Sequence, residues 1–267
     1  MRSKGPGRGV EALGGLVLFG VVFMSLAGLG LARKYKVSET DGAERTVAKP
    51  VRYDLVDGQT LSYKVKCIDK MKTGESTRLD FALDGCVEII VKGHKDSGEC
   101  MLDFSTSVVS FDSKDERLRG LAVDKDERLR VAMLLNAEEG GVEFDKEEAA
   151  RLMKASAIGQ LHARLFQAVA VVFPMLPKRW SGSPFKGEED SWTFSYDCVG
   201  PIVIRGKQKV GDEDNGVIVE AVSEFAEGAV RSGYLKRTLH QKRNKVLSLS
   251  ESVLEVSLVP EGQRKER

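Results

Sequence analysis

The sequence lacks the motifs that identify most enzymes. No G-x-S-x-G, P-loop, H-E-x-x-H or G-x-G-x-x-G pattern occurs, and there are only three histidines: His94, His162 and His240. No N-x-S/T sequon occurs either, so nothing indicates glycosylation in a eukaryotic secretory pathway. We therefore predict no catalytic residue, no cofactor and no enzymatic activity. A hydrolase whose residues meet only in three dimensions is the second alternative.

The chain also lacks an excess of charge of either sign. It carries 41 Lys and Arg against 40 Asp and Glu. Residues 1–32 hold three basic residues and one acidic residue, which leaves 38 and 39 in the remainder and a net charge of −1. The two signs are interspersed, whereas nucleic-acid binding needs a clustered basic surface. We therefore exclude nucleic acid as a partner.

Cysteine is scarce, and all four cysteines lie in the body of the chain: Cys67, Cys86, Cys100 and Cys198. An even number in an exported chain permits two disulfides, although the pairing cannot be read from the spacing. No C-x-x-C or H-x-x-x-H spacing occurs, so we expect no zinc site from these cysteines and His94. Buried free thiols are the alternative to disulfides.

The clearest feature that is present is the uncharged apolar run 12–32, which follows a basic tail at 1–11. A helix needs about 20 apolar residues to cross the hydrocarbon core, so the run is long enough for a transmembrane anchor. A cleaved signal peptide is the alternative, because Gly30-Leu31-Ala32 and Ser25-Leu26-Ala27 both fit a small-residue cleavage site. We favour the uncleaved anchor, since the run is longer than a usual signal core.

The location of the body follows from this N-terminal pattern. Basic residues flank the run on both sides, so their distribution does not fix the orientation. A basic start, an apolar run and small residues are typical of an export signal. We therefore expect a single-pass protein of the cell membrane with its body on the periplasmic or extracellular side. Secretion after signal cleavage is the alternative.

The body, 51–259, is predicted to be a single β-rich domain. It follows a polar linker at 33–50, and a charged tail at 260–267 is expected to be disordered. Leu61, Tyr63, Val65 and Cys67 alternate with polar residues, which predicts a half-buried strand. Gly85 interrupts the next apolar alternation and indicates a β-bulge. Further strands are predicted at 79–91, 99–111, 128–136, 192–198, 201–210, 217–222, 234–239 and 246–259.

One long helix is predicted at 146–173. Asp145 is a plausible N-cap, and Pro174 follows the end of the helical pattern. Apolar residues at helical spacing require one side to be buried against the sheet. The expected fold class is α+β and β-rich: a curved antiparallel sheet, open or half-barrel, packed against one long helix, plus an N-terminal transmembrane or signal helix. A lone helical histidine such as His162 is expected to be a surface or packing residue.

An aromatic set follows the predicted helix. Trp180 and Phe185 lie in a loop rich in Pro and Gly, and Trp192 begins the next strand. Such a set can cradle an apolar or sugar-like ligand, but it more often closes the end of a core. We therefore interpret these residues as packing residues.

Three short segments carry a resemblance to a known family. They are Gly-Gln-Thr-Leu-Ser-Tyr-Lys-Val at 58–65, Phe-Pro-Met-Leu-Pro at 173–177, and Ser191-Trp192 at the start of a strand. On these segments the chain resembles an uncharacterised family of exported bacterial β-rich domains of unknown function, over Leu55 to Val259. The approach to Trp192 reads Gly-Glu-Glu-Asp-Ser-Trp rather than the family's Gly-Asp-x-Trp. The resemblance implies an exported location and a β-rich fold, and no activity.

The function predicted from the sequence is a membrane-anchored or exported, non-catalytic envelope domain with a binding or scaffold role. Its partners would be the membrane, through 12–32, and an envelope protein or an apolar ligand. The first alternative is a carrier of lipid or another apolar ligand in a cavity between the sheet and the helix. A deep apolar pocket there would favour the carrier, a filled core would favour the scaffold, and paired carboxylates or a Ser/His contact in a cleft would favour the hydrolase.

Overall fold

The fold was analysed on a computed structural model. The residues that it describes are 36–37, 52–74, 76–114, 118, 121–124, 126–145, 147, 149–151, 156–174, 176, 185–189, 192–197, 202–212, 214–243 and 246–260. The predicted anchor 12–32, nearly all of the linker and the charged tail lie outside them. Within the described residues, no helix has the length and apolar character needed to cross a membrane.

The described chain forms one open antiparallel sheet of twelve strands. The strands are β1 (Lys36–Val37), β2 (Thr60–Thr73), β3 (Ser76–His94), β4 (Glu99–Ser113), β5 (Arg128–Asn136), β6 (Val142–Phe144), β7 (Phe185–Glu189), β8 (Trp192–Asp197), β9 (Ile202–Gly211), β10 (Asn215–Ala226), β11 (Ala229–Arg243) and β12 (Val246–Leu258). Their order in the sheet is β1-β7-β8-β9-β10-β11-β12-β2-β3-β4-β5-β6. The β-rich antiparallel part of the predicted fold is thus confirmed. Pairing of β12 with β2 joins the two halves of the chain.

Alternation along the strands gives the sheet two different faces. Leu61, Tyr63 and Val65 are buried, whereas Lys64 and Lys66 between them are exposed. Because successive side chains of a strand point to opposite sides, the buried residues define one surface of the sheet. We call this surface the helix face, because the helices pack on it, and the surface carrying Lys64 and Lys66 the open face.

The predicted bulge at Gly85 is present, but its extra residue lies in the neighbouring strand. Asp84 pairs with Ser110 and Gly85 pairs with Val108, so Val109 of β4 has no opposite residue in β3. The alternation of β3 is therefore uninterrupted at Gly85. The bulge bends β4 instead, as an unpaired extra residue does.

The prediction of one continuous helix at 146–173 is wrong. The helical residues after Ser156 form α1 (Ala157–Phe166) and a short α2 (Val169–Val172). Ser156 has an extended backbone, with φ −152° and ψ 167°, and its side chain accepts a hydrogen bond from the Gly159 N–H. A serine in this conformation caps a new helix, so the helical residues 149–151 do not continue into α1. A turn at 167–168 then separates α1 from α2.

The helices approach the sheet closely at two glycines. A Cβ atom added to Gly85 would lie 2.5 Å from Leu165 Cδ1, and one added to Gly233 would lie 2.6 Å from Val171 Cγ1. Both contacts are too short for any side chain larger than hydrogen. Buried side chains therefore fill the space between the helices and the sheet, and Phe166 is among the largest of them.

Buried polar groups on the helix face are tied to the backbone of distant elements. The Tyr63 hydroxyl donates to the carbonyl oxygen of Val230 at 3.0 Å. The Ser223 hydroxyl donates to the carbonyl oxygen of Val171 at 2.7 Å. The first bond joins β2 to β11 within the sheet, and the second joins β10 to α2 and so helps to fix the position of α2 on the sheet.

Candidate functional site

A hollow of about 820 Å³ lies on the open face of the sheet. It reaches from Val203 of β9 to Val109 of β4, across seven neighbouring strands. Gly85 and Gly233 contribute to its lining. These are the glycines at which the sheet approaches the helices closely on the other side. The hollow therefore lies behind the two glycines on which α1 and α2 pack.

Most of the accessible lining of the hollow is apolar. The apolar side chains come from separate strands: Val203 of β9, Val222 of β10, Tyr234 of β11 and Val109 of β4. Tyr234 is 38% exposed and Val109 is 41% exposed, although both carry large apolar surfaces. An apolar surface that is enclosed only in part is available to a ligand rather than to the core.

Charged side chains of both signs accompany this apolar lining. They are Lys64, Lys66, Asp84, Glu224 and Glu255, two cations and three carboxylates with a net charge of −1. Lys66 pairs across the sheet with Glu255 on one side and with Asp84 on the other. Within the described part of the chain, neither lysine forms an ion pair or a hydrogen bond. Their ammonium groups are thus available to a ligand.

The carboxylates of the hollow do not form a close pair around a reaction centre. Asp84 and Glu255 lie on opposite sides of β2, so their Cα atoms are about 10 Å apart, with Lys66 between them. Glu224 instead accepts a hydrogen bond from the Ser232 hydroxyl at 2.7 Å. None of the described lining residues is a histidine. The Ser232 hydroxyl beside the Glu224 carboxylate is a contact between a hydroxyl group and a possible base, and the other described charges of the hollow supply groups for binding.

The cysteines are distributed over both faces. Cys67 and Cys100 are buried free thiols, and Cys86 lines the hollow. Burial raises the pKa of the Cys67 thiol to about 12. No disulfide joins the three cysteines that the structure describes. Cys198 lies outside the described residues, so a bond to it stays a prediction.

Two of the three histidines have a side-chain partner. His162 lies on the buried side of α1, and its Nδ1 lies 2.8 Å from Thr106 Oγ1. Burial lowers the pKa of His162. This histidine is a packing residue, but it has a partner that the sequence did not reveal. His94 Nδ1 lies 2.6 Å from Asp57 Oδ1 near the end of β3.

The His94 pair lies beside Cys100, its neighbour across β3 and β4. A Cys, His and Asp row of this kind resembles the groups of a nucleophilic site. Burial raises the pKa of Cys100, and the charge of Asp57 raises it further. The thiolate is therefore disfavoured, which argues against a nucleophilic role. Among the described residues, no three His, Cys, Asp or Glu side chains cluster as a metal site.

The aromatic set and the cavity between the helix and the sheet are the two remaining predicted features. Phe185 and Trp192 lie on β7 and β8, but their side chains and the whole of Trp180 lie outside what the structure describes. The aromatic cradle is therefore untested. Among the described residues, α1 and α2 pack closely against Gly85 and Gly233, and the hollow lies on the other face of the sheet; the predicted cavity between the helix and the sheet stays a prediction. The hollow was missed because it forms from seven strands far apart in the sequence.

No protein-family model matches the chain, and no curated protein matches it. Among solved structures, it is similar to one described as "Lipid-protein interactions in lipovitellin", with 10% identity and a TM-score of 0.42 over 78% of this chain and 26% of that one. The chain thus spans about a quarter of that protein. It is also similar to DynF from the dynemicin biosynthesis pathway of Micromonospora chersina, with 8% identity and a TM-score of 0.23 over 88% of this chain and 97% of that one. Both TM-scores are below 0.5, so neither similarity establishes a shared fold or function.

Proposed function

We propose that this chain is a non-catalytic binding protein of the cell envelope that carries an amphipathic, lipid-like ligand in the hollow on the open face. The observation that carries the proposal is the hollow itself, with a volume of about 820 Å³ and a mainly apolar lining. Sites for small molecules typically enclose about 300–1,000 Å³ and combine apolar walls with a few polar groups.

The charges of the hollow narrow the class of ligand. Its five charged side chains sum to −1, so a strongly anionic head group would be repelled. Lys66 between Glu255 and Asp84 offers both signs within one row of the sheet. We therefore propose an uncharged or zwitterionic head group near Lys66, with an apolar chain along Val222 and Val203.

The cellular location in this proposal rests on the sequence alone. The apolar run 12–32 is long enough to hold the protein at a membrane. In this arrangement the folded body stays close to a source of amphipathic ligands. A scaffold role that binds an envelope protein partner is the competing function: the close packing of α1 and α2 on the sheet favours it, and it would use the same exposed surface.

The experiment is native mass spectrometry of the full chain extracted from membranes, with Val222→Trp as the blocking variant. Val222 lines the hollow, so an indole at this position is expected to fill the apolar part and to reduce bound ligand at least tenfold. Val210→Trp is the matched control: Val210 is 56% exposed on β9 and is not among the lining residues. Wild type without a bound small molecule, or equal loss in both variants, would contradict the proposal.

Alkylation of Cys86 locates the ligand in the same experiment. Cys86 lines the hollow, whereas Cys67 and Cys100 are buried on the helix face. Under reducing conditions, the bound ligand is expected to slow modification of Cys86 in wild type but not in Val222→Trp. Protection that persists in Val222→Trp would place the ligand elsewhere. Protection by a co-purifying protein alone would support the partner-binding function instead.

A further inference from the structure

A charged cluster lies on the helix face, at the last turn of α1. It consists of Asp69 on β2, Arg164 on α1 and Arg237 on β11. Arg164 Nη1 is 2.8 Å from Asp69 Oδ2, and its guanidinium lies 5.3 Å from the centre of the Phe81 ring. Arg164 therefore already has a carboxylate and an aromatic ring as partners.

Among the described residues, Arg237 has no carboxylate at ion-pair distance and no aromatic ring beneath its guanidinium. It is half-buried, and within the described chain it makes no hydrogen bond and no ion pair. Across the sheet it pairs with Val219 on β10 and with Ser252 on β12. Leu235 and Leu239, two positions to either side on β11, share its face. Its guanidinium thus emerges from a surface that carries leucines together with the polar residues Ser252 and Ser250 of β12.

The charges of the cluster do not balance. Two guanidinium groups face one carboxylate, and the second oxygen of that carboxylate, Asp69 Oδ1, is buried without a hydrogen-bond partner. Burial lowers the pKa of Arg237, the charge of Arg164 lowers it further, and the charge of Asp69 raises it. A cation removed from water is costly unless an anion or hydrogen-bond acceptors replace the water. The cluster is one negative charge short.

We propose that Arg237 is the centre of an anion site that binds the carboxylate or phosphate head group of an amphipathic molecule. The Ser252 hydroxyl lies next to it in the same row of the sheet and supplies a second donor. Leu239 and its neighbour Val217 continue the helix face away from the α1 end and provide apolar contact for the chain of the ligand. The site lies on the opposite face from the hollow and takes the opposite class of head group, so it does not rest on the proposed function.

The test uses the full chain in a non-ionic detergent, with three probes: decanoate, decanol and inorganic phosphate. Thermal unfolding followed by tryptophan fluorescence reports binding, because a ligand that binds the folded state raises the midpoint. Decanoate is expected to raise the midpoint of wild type more than that of Arg237→Gln, whereas decanol, which has no anionic head group and can bind in the hollow, is expected to affect both proteins equally. Arg237→Gln is expected to weaken decanoate binding at least tenfold. Arg205→Gln removes an exposed arginine on β9 and serves as the matched control.

The unfolding midpoints of the ligand-free variants distinguish a binding role of Arg237 from a structural role. An unpaired, half-buried cation destabilises the fold, so Arg237→Gln without ligand is expected to unfold at the wild-type temperature or above it. Arg237→Met gives the same comparison without an amide group. A lower midpoint in both variants would assign Arg237 to the structure and overturn the proposal.

The measurements with inorganic phosphate distinguish a free anion from an anionic amphipathic molecule as the ligand of this site. If inorganic phosphate protects wild type as strongly as decanoate and loses its effect in Arg237→Gln, the site binds a free anion. If only decanoate protects, the ligand is an amphipathic molecule. Absence of protection by either anion, or equal protection in Arg237→Gln, would overturn the proposal.

Discussion

His162 illustrates how a buried polar side chain is accommodated on the helix face. It is 2% exposed, and its ring shares a hydrogen bond with Thr106, which is fully buried on β4. The pair joins α1 to the sheet within an otherwise apolar contact. A proton added to this ring would place a charge among apolar side chains, which explains why burial lowers its pKa.

This residue predicts a pH dependence of stability. The unfolded chain binds a proton at His162 near pH 6.5, whereas the folded state binds it only at lower pH. Stability is therefore expected to fall as pH is lowered from about 6.5, with a slope of at most about 1.4 kcal/mol per pH unit. Denaturant unfolding between about pH 5.5 and 7.5 measures it. His162→Asn is expected to remove this part of the slope, and the control His240→Asn is expected to keep it. An unchanged slope in His162→Asn would contradict the argument.

The elements differ in how well the sequence predicts them. Strand β5, Arg128–Asn136, has the bounds predicted for it, because its alternation reflects one buried and one exposed side. The predicted helix is longer than α1 because the apolar residues keep helical spacing beyond the turn at 167–168. They do so because α2 packs on the same sheet as α1. Ser156 is a typical N-cap residue, so the sequence does contain a signal for the break before α1. The sequence predicts a loop where β7 lies, since Pro184 and Gly187 are typical of turns.

The contact between α1 and β3 gives a prediction at the scale of elements. Gly85→Ala would place a methyl group 2.5 Å from Leu165 Cδ1 and 2.8 Å from the Ser107 carbonyl oxygen, and it is expected to cost about 1–3 kcal/mol. Leu165→Ala is expected to cost about 2–5 kcal/mol. The double variant should lose less free energy of unfolding than the two single variants together, by at least about 0.5 kcal/mol, because the methyl group enters the space vacated by Leu165.

Denaturant unfolding of the four proteins in the cycle measures this coupling. The matched control pairs Gly85→Ala with Val91→Ala, a buried position six residues further along β3. Those two effects are expected to add, because the sites are too far apart to share a cavity. Equal coupling in both cycles would show that the contact with Leu165 is not its source.

At the scale of the molecule, the sheet has one face covered by helices and one face with a hollow. This division could not be predicted from the sequence, because the register of seven strands decides which side chains meet. Val203 and Val109, at the two ends of the hollow, are about a hundred residues apart in the chain. Alternation assigned the lysines to the exposed side, but no local pattern indicates where that side is concave.

Attachment to the membrane is the prediction that concerns the whole chain. The uncharged run 12–32 is expected to remain in the protein as an anchor. After an alkaline carbonate wash, the protein should stay in the membrane fraction with the intact mass of 29.3 kDa. Leu18→Lys combined with Val21→Lys should release it, because two charges in the hydrocarbon core are costly. Recovery of a soluble protein that begins after Ala27 or Ala32 would instead establish a cleaved signal.

The close approach at Gly85 places one strand segment in contact with both faces of the sheet. The same strand segment forms part of the hollow on one side and touches Leu165, the neighbour of Arg164, on the other. If a molecule bound on the open side shifts β3, we expect α1 and Arg164, the arginine paired with Asp69, to shift with it. Ligands on the two faces would then influence each other, and the factor by which either alters the affinity of the other must be the same in both directions.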